Sequence, residues 1–123
     1  MGKNLRTEVI AEIANTHQGD PDYAYRLAKS CQKSGADSIK FQIYFAEELL
    51  SRKHPRFKHF KNQSFSKSIW KDLIKSLKNS GTNIYADIFG LEAFDLAKKC
   101  GLDGFKIHSS DLNNYEIFDN ISN

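Results

Sequence analysis

Apolar positions recur along this chain in two alternating rhythms, one of helical period and one of short continuous runs, and that alternation predicts its architecture. Ala24, Leu27, Ala28 and Cys31 fall at i, i+3, i+4 and i+7 behind Asp20-Pro21. An N-cap followed by a first-turn proline starts a helix there, predicted over residues 21–34. Ile69, Trp70, Leu73, Ile74 and Leu77 form the apolar stripe of a second helix, which Ser66 or Ser68 can cap. Leu91, Phe94, Ala97 and Cys100 do the same for a shorter third helix ending before Gly101. Between the helices lie apolar runs of strand length, at residues 8–13, 38–44, 83–88 and 104–108.

The junctions repeat. Ser34-Gly35-Ala36-Asp37-Ser38-Ile39-Lys40-Phe41 aligns without a gap on Cys100-Gly101-Leu102-Asp103-Gly104-Phe105-Lys106-Ile107, with lysine five residues after glycine in both. A third copy, Ser80-Gly81-Thr82-Asn83-Ile84-Tyr85-Ala86-Asp87, has alanine at the lysine position and an aspartate beside it. Each glycine follows an amphipathic run, as expected of a residue taking the left-handed conformation just past a helix. Helix end, glycine and strand therefore form a repeating unit. Strict alternation of strand and helix predicts right-handed βαβ units and a parallel sheet. A closed (β/α)8 barrel takes roughly 200 residues or more, and this chain has 123. The expected fold class is thus α/β, with the alternating βα units of a TIM barrel truncated to about four strands, a half-barrel over residues 1–123. A small open domain of flavodoxin-like size is the other solution. Tyr115-Glu116-Ile117-Phe118 begins what reads as a fourth helix.

Composition changes this picture little: 40% apolar and 27% charged residues are ordinary for a globular protein. No run approaches the ~18 apolar residues of a membrane span or shows a secretory pattern, so a cytoplasmic chain without a membrane partner is expected. Cys31 and Cys100 lie on apolar helix faces without CxxC or Cys/His spacing and read as buried thiols. The net charge of +3 is unevenly placed. Arg52, Lys53, Arg56, Lys58 and Lys61, interleaved with His54, Phe57, His59 and Phe60, follow the second strand. With 15 acidic residues elsewhere and no nucleic-acid module, the segment reads as a long solvated βα loop near an anionic-substrate site.

The chemistry gathers at strand ends. Lys106 lies in an apolar strand that opens into His108-Ser109-Ser110-Asp111, and a lysine there needs a carboxylate or an anion, since unpaired burial costs several kcal/mol. In a barrel, inward side chains of one layer come from alternate strands, so Lys40 and Lys106 are expected to share a layer. Two ammonium groups on one axis repel unless an anion lies between them, which points to a phosphate or carboxylate ligand. Glu12 and Asp87, near the ends of the first and third strands, either line the neighbouring layer or pair with the lysines themselves. For His17, His54, His59 and His108 a solvated or hydrogen-bonded structural role is expected, with His17 the first candidate for anything more.

Three motifs occur together, in order: Ile10-Ala11-Glu12-Ile13-Ala14-Asn15-Thr16-His17-Gln18-Gly19, Gly35-Ala36-Asp37-Ser38-Ile39-Lys40-Phe41-Gln42, and Phe105-Lys106-Ile107-His108-Ser109-Ser110-Asp111-Leu112-Asn113-Asn114. Together they resemble successive motifs of the N-acetylneuraminate (sialic acid) synthase family, over nearly the whole chain. The resemblance implies a TIM-barrel enzyme that condenses phosphoenolpyruvate with an N-acetylated aminosugar to a nine-carbon sialic-type acid, releasing phosphate. It implies a divalent metal, manganese or magnesium, whose histidine ligands lie on later strands, outside this chain, and a sugar site completed by a C-terminal antifreeze-like domain.

Carried over by position, Lys40, Lys106 and Ser109 match phosphoenolpyruvate-binding residues, and Asp87 stands where the family offers that ligand a threonine. Glu12 matches the acidic residue of the first strand, and Asp111 stands where the family commonly has glutamate. The resemblance gives these two the catalytic work of moving a proton or orienting water, undivided between them. Asp111 is shorter than glutamate by one methylene, about 1.5 Å, and Thr16 replaces the asparagine of the familiar Asn-His-x-Gly turn. The edges of an open half-barrel favour a homo-oligomer or a complementing second half. The alternative reading is a non-catalytic, anion-binding or self-associating half-barrel.

Overall fold

In the computed structural model, which describes residues 6–121, the local signals act where the sequence puts them. The Asp20 carboxylate accepts from the Tyr23 N–H and Pro21 opens helix α1, Pro21–Lys33, with Ser34 as its C-cap. Of the two candidate serines, Ser66 caps α4, Lys67–Asn79, its hydroxyl accepting from the Ile69 N–H. The three repeat glycines, Gly35, Gly81 and Gly101, have φ of +95°, +76° and +61°, so each helix ends in the left-handed step that a Cβ would strain.

The strands are β1 (Ile10–Ala14), β2 (Ser38–Ile43), β3 (Asn83–Ile88) and β4 (Gly104–Ile107), parallel and ordered β1-β2-β3-β4. Helices α5 (Leu91–Lys99) and α6 (Tyr115–Ile121) complete the alternation, with a 3₁₀ turn at Ser109–Asp111 after β4. This is the expected α/β arrangement of βα units. No described helix is long and apolar enough to cross a membrane.

One expectation is corrected. The basic segment after β2 is exposed along most of its length, as expected, but it is not all loop: a short helix α2 (Ala46–Leu49) precedes it, and its second half folds into α3 (Phe57–Gln63). Phe57 and Phe60 lie one helical turn apart, and the Phe60 ring packs edge-on to Tyr44 at 5.6 Å while the Arg56 guanidinium covers it at 4.9 Å. Lys61 then pairs with Glu47 of α2 at 2.6 Å. The aromatic residues interleaved among the charges supply the stripe that a helix needs; α3 buries none of its own residues fully and remains a surface element.

Alternation along the strands divides the sheet into two faces. Ile39, Phe41 and Ile43 of β2, with Ile84, Ala86 and Ile88 of β3, are buried against Ala24, Ala28, Trp70, Ile74, Leu77, Phe94 and Ala97 of the helices. Cys31 and Cys100 pack partly buried and unbridged against this core, and burial pushes the Cys100 thiol up. The intervening residues, Glu12, Lys40, Gln42, Tyr85, Asp87 and Lys106, belong to the opposite face.

Candidate functional site

Register decides which charges meet on that face. Glu12 of β1 lies beside Lys40 of β2, and Asp87 of β3 beside Lys106 of β4. The Lys40 ammonium is 3.1 Å from Glu12 Oε2 and 3.4 Å from Asp87 Oδ1, and the Lys106 ammonium is 3.0 Å from Asp87 Oδ2. The result is a line of alternating charge, Glu12–Lys40–Asp87–Lys106, running across all four strands. Of the two placements the sequence left open for Glu12 and Asp87, the structure takes pairing with the lysines, and Asp87 holds both of them.

Exposure ranks these pairs. The Asp87 side chain is 3% exposed and that of Lys40 18%, whereas Glu12 and Lys106 stand half in solvent at 46% and 59%. Coulombic pairing is therefore strongest at the middle of the line and screened at its ends. Burial by itself would depress the Lys40 ammonium, but the hydrogen bond to Glu12 and the charges of Asp87 and Glu12 outweigh it and hold Lys40 above the ordinary lysine value. Lys40 is thus a fixed cation. Beside it, the Asn15 amide donates to Gln42 Oε1 at 3.1 Å, tying the turn after β1 to the next strand.

Asp111 belongs to a second cluster. Its Oδ2 accepts from the Gly90 N–H at 3.0 Å and its Oδ1 from the Asn114 amide at 3.4 Å, so it braces the loop between β3 and α5. Glu48 of α2 reaches the same loop and accepts from the Leu91 and Glu92 N–H groups, at 2.7 Å and 3.2 Å. Gly90 has φ +83°, a conformation that any Cβ would strain, and a Cβ there would also push aside the Glu48 carboxylate, whose carbon lies within 2.3 Å of it. Burial pushes the Glu48 carboxyl up, and the nearby charges of Glu92 and Asp111 push the same way, against the two N–H donors. Glu48 and Asp111 share a hollow of about 300 Å³ with Leu49, Phe89, Ser110 and Asn114. Ser109 opens the 3₁₀ turn beside it and is exposed. His108 shapes that turn: its Nδ1 accepts from the Ser110 N–H, and its ring stacks on Phe89 at 4.2 Å.

The structure therefore gathers Glu12, Lys40, Asp87 and Lys106 into one bonded line and seats Asp111 with Glu48 around Gly90. Glu48 carried no signal in the sequence, because its partners lie 43 and 44 residues away. Among the described residues no group of three or more His, Cys, Asp and Glu side chains stands close enough together to hold an ion. The manganese or magnesium that the resemblance implies has no ligand set among them.

His17 is structural. It is 1% exposed, its Nδ1 accepts from the Gly19 N–H at 3.1 Å, and its ring lies against Phe65 at 4.4 Å and edge-on to Trp70 at 6.1 Å. Burial lowers its pKa below the ordinary 6.5, and the charge of Asp20 offsets this only in part. Stability from the neutral ring is thus fully present above the unfolded value and is lost as pH falls through the depressed folded one. The urea midpoint is expected to drop on acidification below about pH 6.5, and His17→Gln is expected to flatten that drop. An equal drop in both proteins would assign the acid sensitivity elsewhere.

Comparison with known proteins bears on this arrangement. The family model described as NeuB family matches residues 27–123. Uncharacterized protein MJ1065 of Methanocaldococcus jannaschii is 32% identical over 122 residues, covering 99% of this chain and 36% of that protein. An N,N'-diacetyllegionaminic acid synthase of Legionella pneumophila is 27% identical, covering 92% of this chain and 36% of the synthase. This chain thus spans about a third of the length of the curated relatives it matches. Among solved structures, the N-acetylneuraminic acid (sialic acid) synthetase of Leptospira borgpetersenii superposes with a TM-score of 0.78 at 24% identity, over 95% of this chain and 44% of that one.

Proposed function

The chain belongs to the NeuB family, and from that membership we propose that it forms the phosphoenolpyruvate side of a sialic acid synthase-type site. The whole protein would condense phosphoenolpyruvate with an N-acetylated aminosugar to a nine-carbon sialic-type acid and release phosphate. The observation that carries this reading is the convergence of Lys40 and Lys106, from β2 and β4, on one carboxylate at 3.4 Å and 3.0 Å. Two ammonium groups that close on a single anionic group are what a ligand with a carboxylate and a phosphate requires.

In this reading the lysines neutralise the ligand's two anionic ends and the exposed Ser109 hydroxyl donates to an oxygen they do not reach. The enol carbon bonds to the aldehyde carbon of the open-chain sugar, whose oxygen takes up a proton. Water then adds to the carbon bearing the phosphate ester, loses a proton, and phosphate departs to leave the keto acid. Glu12, with an exposed face beside Lys40, is placed to take the proton from water, while Asp111, held by the Gly90 amide, orients the turn carrying Ser109. The divalent ion of the family would be held by residues outside this chain. Among the described residues no strand pairs with the outer edges of β1 and β4, and these edges are where a complementing barrel half or a second copy would pair.

Calorimetric titration tests the binding half of the proposal and a turnover assay the rest. The chain is expected to bind phosphoenolpyruvate yet release no phosphate with manganese and N-acetylmannosamine added. Positioning of the aldehyde, worth roughly 7–11 kcal/mol of such a barrier, falls to parts that the longer relatives have beyond the matched third. Absence of phosphoenolpyruvate binding would remove the reading. Phosphate release above a Lys40→Met, Lys106→Met control, with the nine-carbon acid confirmed by mass spectrometry, would show instead that this chain completes the site itself.

A further inference from the structure

Asp87 is the one buried acidic side chain among the described residues. Its carboxylate occupies the position between Lys40 and Lys106 that the proposed ligand needs, Oδ1 on the first ammonium and Oδ2 on the second. Oδ1 has no hydrogen-bond donor beyond the ion pair with Lys40. With Glu12 on the outer side of Lys40 the line carries two negative and two positive charges, so it has no net pull on an anion. An anion entering between the lysines meets a like charge already enclosed there, in a place where water screens poorly. Two ways out exist: the carboxylate swings away, or it loses its charge. Burial on β3 between two strands closes the first.

We propose that Asp87 is a proton-operated gate on this site: an external anion binds between Lys40 and Lys106 only as Asp87 takes up one proton from solvent. The carboxylate then becomes a carboxylic acid, and its O–H donates a hydrogen bond to the incoming anion. The competitor turns into a ligand group. Lys40 from β2 and Lys106 from β4 face Asp87 directly, Gln42 is its neutral register neighbour on β2, and Glu12 from β1 acts on it through Lys40. Protonating half-exposed Glu12 would release one ammonium only, whereas protonating Asp87 releases both. The inference rests on the anion-site reading above and goes beyond it in assigning the gate to a residue.

Because the complex holds one more proton than the free protein, affinity rises as pH falls, by up to about tenfold per pH unit. Sulfate is the appropriate probe, since it stays a dianion between about pH 5 and 8, where phosphate and phosphoenolpyruvate titrate. Calorimetry in two buffers of different ionisation enthalpy is expected to give about one proton taken up per sulfate for the unaltered chain. For Asp87→Asn the uptake should be near zero, with tighter, pH-independent binding that Lys106→Met abolishes in the same background. Sulfate binding to the unaltered chain without proton uptake would overturn the gate and leave the anion site standing. Uptake that persists in Asp87→Asn would likewise overturn it. Failure of both proteins to bind sulfate at any of these pH values would overturn gate and site together. The measurement on the unaltered chain decides the matter even if the asparagine variant does not fold.

Discussion

Lys40→Met and Lys106→Met are each expected to weaken phosphoenolpyruvate binding by about 2–5 kcal/mol, and the double variant by little more than the worse single one. At 1.4 kcal/mol per decade that is a rise in Kd of about 30-fold to several-thousand-fold. The sub-additivity comes from Asp87. In the unaltered protein its two oxygens are divided between the two ammonium groups, at 3.4 Å and 3.0 Å. Removing one lysine leaves the carboxylate with the other, so the remaining cation is both alone and more tightly masked. A second substitution then has little left to remove. The single losses need not be equal, because Lys40 is largely enclosed and Lys106 is more than half exposed, and water screens the second. Lys40→Met is therefore expected to be the worse single. Strictly additive losses, measured by calorimetry on the three variants, would show that the lysines bind separate groups.

The equivalence of these two lysines was legible because it is local: glycine, four residues, lysine, twice over, after two amphipathic helices. The helices and the parallel alternation were legible for the same reason, each resting on contacts within one or two turns. What the sequence left undecided depends on who lies across the sheet. That Glu12 and Lys40 are neighbours, and Asp87 and Lys106, follows from register, which packing of the helical face sets. The start of β1 shows the same limit. The apolar run begins at residue 8, yet the paired residues begin at Ile10: the Asp37 carboxylate accepts the Val9 N–H at 2.8 Å, and the Val9 carbonyl accepts from the Asp37 and Ser38 N–H groups at the very start of β2. The α3 helix was missed because a seven-residue element carries two aromatic positions at most, too few for a period to stand out from a basic loop. Glu48, whose contacts are all long-range, gave no pattern at all.

The face that carries the lysines is only as fixed as the core beneath it, and Trp70→Ala is expected to cost about 3–5 kcal/mol of folding stability. That is a large share of the 5–15 kcal/mol typical of a whole domain. Trp70 is 1% exposed and joins three elements. Its ring meets Phe41 of β2 edge-on at 5.6 Å, Phe65 at 4.8 Å, and His17 of the turn after β1 at 6.1 Å. Phe41 follows Lys40 in the strand, so a cavity at Trp70 loosens the backbone that aims Lys40. The indole N–H is buried without a hydrogen-bond partner, so its removal sacrifices no bond. Trp70→Phe is accordingly expected to cost much less than Trp70→Ala, since it keeps the aromatic contacts and removes an unsatisfied donor. Urea unfolding followed by circular dichroism measures both, because Trp70 is the chain's single tryptophan and fluorescence would vanish with it. Equal losses in the two variants would mean that ring contacts with Phe41 and Phe65 are not what holds α4 to the sheet.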